Sequence, residues 1–215
     1  MQIKKSYLIY SICLILISAC AQVYYSPDAQ KLASKHRTVA IMPPQVSYNR
    51  ISKKISEADL QTQIQTESSN LQTEIYNWML RRQSKAQIRQ DFQALSTTNA
   101  KLKALKYPDS ALTAAQICAA LKVDALIYTN FQLSKPISDG AAVALILLTS
   151  YSTPTNTVSM NLNITDGAND KVIFNYNHTY SAGVGSTVNS VVNALMRNAS
   201  KKMPYFKRLG HETGQ

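Results

Sequence analysis

Three cysteines and three histidines are the side chains of this chain best suited to ligate a metal or to act as nucleophile or base, and their spacing serves neither purpose. Cys13, Cys20 and Cys118 make no CxxC pair, and His36, His178 and His211 make no HExxH helix, so neither a metal nor another cofactor is expected. The first glycine is Gly140, which leaves everything before it without a glycine-rich phosphate loop. Ala182-Gly183-Val184-Gly185-Ser186-Thr187 comes nearest to an anion-binding turn, but it has no lysine and no third glycine in register. It reads as a strand exit with Ser186 capping the helix that follows. His178 falls among Asn175, Asn177 and Thr179, on the face of Phe174 and Tyr176. A partly buried, hydrogen-bonded histidine fits that setting better than a general base, because no Ser-Asp or carboxylate partner is placed beside it. Cys118 sits among Ile117, Ala119, Ala120 and Leu121, which favours an inert buried thiol over a bond between chains. No catalytic residue is expected.

Cys20 has a different context. Lys4 and Lys5 precede an apolar run from Tyr7 to Ile17 that ends in Ser18 and Ala19, the layout of a secretory signal and too short for a spanning helix of about 20 apolar residues. Ile17-Ser18-Ala19-Cys20 resembles the bacterial lipobox, in which small residues admit the signal peptidase and the thiol receives diacylglycerol. That resemblance implies that residues 1–19 are removed and that Cys20 carries the acyl chains, palmitate among them. The competing readings are an ordinary signal cut near Ala19 and an uncleaved anchor. Each acyl methylene buried contributes about 0.8 kcal/mol, so several chains hold a protein on a membrane without inserting any of it. Ala21 is not an acidic retention signal, and no acidic cluster follows Cys20; the resemblance then implies the outer membrane and its periplasmic face. The formal net charge of +11 stays positive after the loss of Lys4 and Lys5. In an exported protein such a charge points to anionic lipid headgroups or other acidic envelope polymers rather than to nucleic acid.

The elements that must carry these residues follow from pattern. Residues 20–36 read as a lipidated tether, 37–203 as one folded domain and 204–215 as a basic tail, with fraying from Lys201 onward. Thr38 to Met42 is a buried strand closed by Pro43-Pro44. Ser56 caps a long helix whose apolar positions Leu60, Ile64, Leu71, Ile75, Trp78 and Met79 recur at helical spacing. Ala86 to Phe92 alternates as a second strand, and Thr98 to Lys106 is a short basic helix. Thr113 to Lys122 is a helix feeding the apolar strand Val123 to Tyr128, which should be covered and parallel to its neighbour. Val158 to Ile164 alternates with polar residues and turns at Asp166-Gly167-Ala168-Asn169 into Lys171 to Tyr180, an antiparallel hairpin with one wet face. Val188, Val191, Val192, Leu195 and Met196 mark a last amphipathic helix. The fold class is α/β, a mixed sheet with amphipathic helices packed on it, in a single domain with a late hairpin.

Two further features concern surfaces. Ala141, Val143, Leu145 and Leu147, with Tyr151 beyond them, belong to an apolar stretch that is either sheet core or a patch for a partner or a second copy. It is too short to span a bilayer. Asp109-Ser110-Ala111 resembles the short O-glycosylation site of Bacteroidetes, with Ser110 as acceptor, whereas the N-glycan sequons at Asn163, Asn177 and Asn198 are chance matches in an exported bacterial chain.

The segments TVAIMPP at 38–44, YNWMLRR at 76–82, LKVDALIY at 121–128 and DGANDKVIFNYN at 166–177, behind a lipidated cysteine, resemble one superfamily of envelope lipoproteins. It includes the curli-secretion (CsgG-type) lipoprotein, the activators of penicillin-binding proteins and the amino-terminal domain of TolB. What the resemblance implies is a non-enzymatic scaffold or accessory factor in cell-envelope assembly or secretion, binding other envelope proteins or copies of itself. A small-ligand-binding protein or hydrolase of the envelope with an unrecognised site is the alternative. A pore is not expected, because no segment supplies a barrel hairpin beyond the one the domain core uses.

Overall fold

β5 (Ala125–Leu133) organises the sheet in the computed structural model, which describes residues 21–49, 55–134, 137, 156–182 and 186–206. Along one side it pairs in parallel with two short strands in succession. β2 (Thr38–Ile41) runs from Val39 opposite Ala125 to Ile41 opposite Ile127, and β3 (Gln45–Tyr48) runs from Gln45 opposite Asn130 to Tyr48 opposite Leu133. Pro43 and Pro44 have no N–H to give, so the ladder lapses after Met42 N donates to Ile127 O at 3.0 Å and resumes past them. On its other side β5 pairs antiparallel with β6 (Asn156–Asp166), which continues through the predicted hairpin into β7 (Lys171–Ala182). The outer edges are β1 (Gln22–Tyr25), antiparallel to β7, and β4 (Asp91–Phe92), parallel to β2.

Period-two alternation decides the two faces of this seven-stranded mixed sheet. Val39, Ile41, Ile127, Phe131, Met160, Leu162, Phe174 and Tyr176 point to one face and are buried beneath two helices, α2 (Glu57–Gln83) and α5 (Val188–Ser200). Leu71, Ile75, Trp78 and Met79 of α2 and Val191, Val192, Leu195 and Met196 of α5 complete that core. Over the other face, α3 (Leu95–Ala104) and α4 (Ala114–Leu121) cover only one end, packing Leu102, Ile117, Cys118 and Leu121 on Ala40, Met42 and Leu126. Polar residues of α2 repair the proline break: buried Gln72 Nε2 donates to Ile41 O at 2.9 Å and half-buried Ser68 Oγ donates to Pro44 O at 2.6 Å.

Ser56 accepts from Asp59 N and Thr113 forms a capping box with Gln116, so the helix starts follow the sequence signals. Four expectations need correction. The stretch expected as a tether is folded: β1 is a sheet edge, and α1 (Ala29–Ala33) buries Ala29, Leu32 and Ala33, so the fold starts at Gln22 and not at Arg37. The strand expected over Ala86 to Phe92 shrinks to β4, because Ala86 takes a positive φ of 53° and turns the chain. Thr187, not Ser186, caps α5 by accepting from Ser190 N. The start of the supposedly frayed tail is packed: Met203 and Tyr205 are buried and Phe206 bridges to Ile88.

Candidate functional site

His36, Asp166 and Tyr205 form the tightest cluster of titratable groups. His36 Nε2 lies 2.8 Å from Asp166 Oδ1, and His36 Nδ1 lies 2.7 Å from Tyr205 Oη. Asp166 Oδ2 accepts from the backbone and side-chain nitrogens of Asn169. Burial pushes the Asp166 carboxyl up, but the hydrogen bonds from His36 and Asn169 outweigh it and hold the group below its usual range. A carboxylate only accepts, so Nε2 donates to Asp166, and Nδ1 pairs with the Tyr205 hydroxyl, which can donate or accept. Burial keeps that tyrosine protonated. The residue types suit proton relay, yet all three are 5% exposed or less. With every partner satisfied inside the protein, the cluster works as a latch between the start of β2, the hairpin turn and the C-terminal segment.

The second place is the part of the sheet that α3 and α4 do not reach and that no other described element covers. Alternation sends Gln45, Ser47, Asn130, Gln132, Ser159, Asn161, Asn163, Asn175, Asn177 and Thr179 to this face. All are uncharged, and Gln45, Ser47, Asn130, Gln132, Ser159, Asn161, Asn177 and Thr179 line a depression of about 580 Å3. The asparagines hold one another, with Asn175 Nδ2 donating to Asn163 Oδ1 at 2.5 Å and to Asn161 Oδ1 at 3.2 Å. Ser159 and Thr179 hydroxyls lie 2.8 Å apart. This is the wet face expected of the hairpin, extended across β5 and β3.

The third place is a basic groove of about 1200 Å3 at the β1 edge. Its floor is built from Val23 and Tyr25 of β1 with Met203 and Phe206 of the C-terminal segment. Arg82 and Lys85 reach it from the end of α2, Arg197 from α5, and Lys201 and Lys202 from just beyond α5. Among the described residues no acid lines it, and none of the five cations is in a salt bridge. Tyr25 Oη donates to Lys202 O at 2.5 Å and fixes the two chain ends to each other. The Arg82 guanidinium lies 4.7 Å over the ring of Trp78, whose other neighbour is Phe206 with centroids 5.8 Å apart.

Of the residues singled out by sequence, Cys118 is buried, and burial followed by the Asp166, Asp124 and Asp170 charges pushes its thiol up to about 12. His178 shares the face of Tyr176, with ring centroids 5.9 Å apart, and its Nε2 is 3.5 Å from Asn198 Nδ2. The Ser110 hydroxyl is buried without a hydrogen-bond partner. Cys20, Ala141, Val143, Leu145, Leu147 and Tyr151 lie outside the described residues. Among the described residues no three His, Cys, Asp or Glu side chains gather as a metal site, and no helix is long and apolar enough to cross a membrane. Sequence reasoning missed the His36 latch and the groove, since each joins residues from opposite ends of the chain.

No family model matches the chain, and no curated protein matches it. Solved structures similar to it include the lipoprotein GNA1162 from Neisseria meningitidis, at 11% identity over 77% of this chain and 96% of that one, with a TM-score of 0.45. The PelC dodecamer from Paraburkholderia phytofirmans is 9% identical over 87% of this chain and 98% of its own, with a TM-score of 0.42. The LpoB C-terminal domain from Salmonella enterica is 10% identical over 72% and 96%, with a TM-score of 0.32. Bacterial lipoproteins are thus among the similar structures, but a likeness this loose decides nothing about what the chain binds.

Proposed function

We propose that the chain is a bacterial outer-membrane lipoprotein, anchored through acyl chains on Cys20 with its fold on the periplasmic face, and that it acts by contact with other envelope proteins rather than by catalysis. The observation that carries this reading is the place where the fold begins. Gln22, the first residue of β1, follows Cys20 by two positions, so an anchor at Cys20 holds the sheet edge against the membrane surface with no spacer. A signal-like apolar run that ends in a lipobox-like tripeptide, followed at once by folded chain, is the layout of a membrane-seated body. The role is the one implied by the resemblance to envelope-assembly and secretion lipoproteins.

The partner's place in this reading is the bare sheet face. Its amides and hydroxyls offer hydrogen bonds without the cost of desolvating a charge, whereas the opposite face is already used up by α2 and α5. A photocrosslinking residue at Thr179, on that face, and another at Glu57, on the exposed start of α2, test it in intact cells. Discrete adducts from position 179 and none from 57 are expected, with loss of the adducts when Cys20→Ala releases the protein from the membrane. Adducts from 57 alone, or a Cys20→Ala variant that stays membrane-bound, contradict the reading.

A further inference from the structure

We propose that the basic groove is a binding site for the headgroup of an anionic phospholipid in the membrane that bears the anchor. The proposal deepens the lipoprotein reading and rests on it for the orientation of the groove. Five cations, Arg82 and Lys85 at the end of α2 and Arg197, Lys201 and Lys202 at the end of α5, converge on one concavity from two separate parts of the chain, and among the described residues no acid lines it. Arg197, Lys201 and Lys202 are solvent-exposed, and among the described residues none of the five is in a salt bridge. Such a concentration of one sign in a concave site raises the local concentration of a phosphate group. Apolar Val23, Met203 and Phe206 are among its lining residues, which suits a glycerol backbone beside a phosphate better than it suits a free inorganic ion.

Position selects the source of that phosphate. Val23 lines the groove and is the third residue after Cys20, and three extended residues reach at most about 11 Å. An acyl anchor on Cys20 therefore places the groove at headgroup depth, where the phosphates of anionic lipid are the nearest and most abundant counter-charge. A lipid bound there would act as a second point of attachment, fixing the rotation of the fold about its anchor and so the direction in which the bare sheet face points.

Trp78 is the only tryptophan in the chain and lies beneath Arg82, so a ligand that engages the Arg82 guanidinium changes its emission. The test uses the full chain purified in detergent, both as produced and as the Cys20→Ala variant. Each is titrated with soluble dihexanoyl-phosphatidylglycerol, with dihexanoyl-phosphatidylcholine and with inorganic phosphate. A saturable change in Trp78 emission is expected with phosphatidylglycerol, at least tenfold weaker with the other two. Arg197→Gln with Lys201→Gln should weaken the response at least tenfold with an unchanged melting transition; Lys85→Gln with Lys202→Gln provides an independent pair should the first fail to fold. Lys103→Gln with Lys106→Gln, an equal loss of charge at the α3 end, should leave it intact. Binding kept in Cys20→Ala while acylation proves absent would overturn the anchor and leave the groove standing. Acylation present with equal responses to both lipids, with no response at all, or with a response only to an acidic peptide such as polyglutamate, overturns the groove proposal alone.

Discussion

His36 and Tyr205, separated by 169 positions in sequence, are joined by a 2.7 Å hydrogen bond inside the protein. Through it the segment after α5 is locked to the start of β2, and Met203 and Phe206 are held where they floor the groove. Tyr205→Phe keeps the ring and removes the hydroxyl, leaving His36 Nδ1 buried and unpaired. A loss of about 1–3 kcal/mol in denaturant unfolding is expected. A variant as stable as the parent shows that the bond is not a latch.

The same cluster sets an acid limit on stability. The Asp166 carboxyl is held below its ordinary value of 3.8 in the folded protein. Its contribution is therefore complete above the unfolded value and disappears as the pH falls through the lower, folded one. Asp28, lowered to about 2 by Lys171 and Ser26, titrates in the same acid region, so wild type must be compared with Asp166→Asn and not judged alone. In thermal melts between about pH 2 and 6 the two should differ most at the upper end and converge in acid. A difference that grows as the pH falls contradicts the assignment.

Gly167 opens the hairpin turn directly beneath α4. A Cβ built there would lie 2.5 Å from Cys118 Sγ, 2.6 Å from Cys118 Cβ and 2.9 Å from Asp124 O. Gly167→Ala should cost about 1–3 kcal/mol through overpacking. Adding Cys118→Ala removes the sulfur but neither the Cβ nor the carbonyl, so partial rescue is expected in a double-mutant cycle, and full rescue would show that the sulfur alone crowds the site.

The Cys118 thiol, raised to about 12 by burial first and by nearby carboxylates second, should be inert. At about pH 8 a thiol reagent should label it in denaturant and not in the native protein. Native labelling at the rate of a free thiol would mean that α4 opens readily.

Legibility in the sequence tracked how much of a residue's role is local. The α2 stripe from Leu60 to Met79 and the alternation of Val158 to Ile164 each contain their own periodicity, and both elements form where the pattern puts them. β1 does not, because three of its four residues are exposed and none of its stability is local; its partner, Phe174 to Asn177, lies some 150 positions away. β3 is likewise only four residues, legible once β5 is known to extend to Leu133. Arg82 and Lys85 read as ordinary cations at a helix C-terminus, and Lys201 and Lys202 as part of a loose tail. The packing of α2 on α5 and the bridge between Ile88 and Phe206, neither of them visible in local sequence, bring the two groups to one groove.

The central claim is that Cys20 carries the lipid and seats the fold on a membrane. Mass spectrometry of the amino-terminal peptide from the membrane-extracted protein tests it most directly. A peptide that begins at Cys20 and bears diacylglyceryl and acyl mass, absent from a Cys20→Ala variant, is the result expected; an unmodified peptide that begins at Cys20 or Ala21, or one that still begins at Met1, contradicts it.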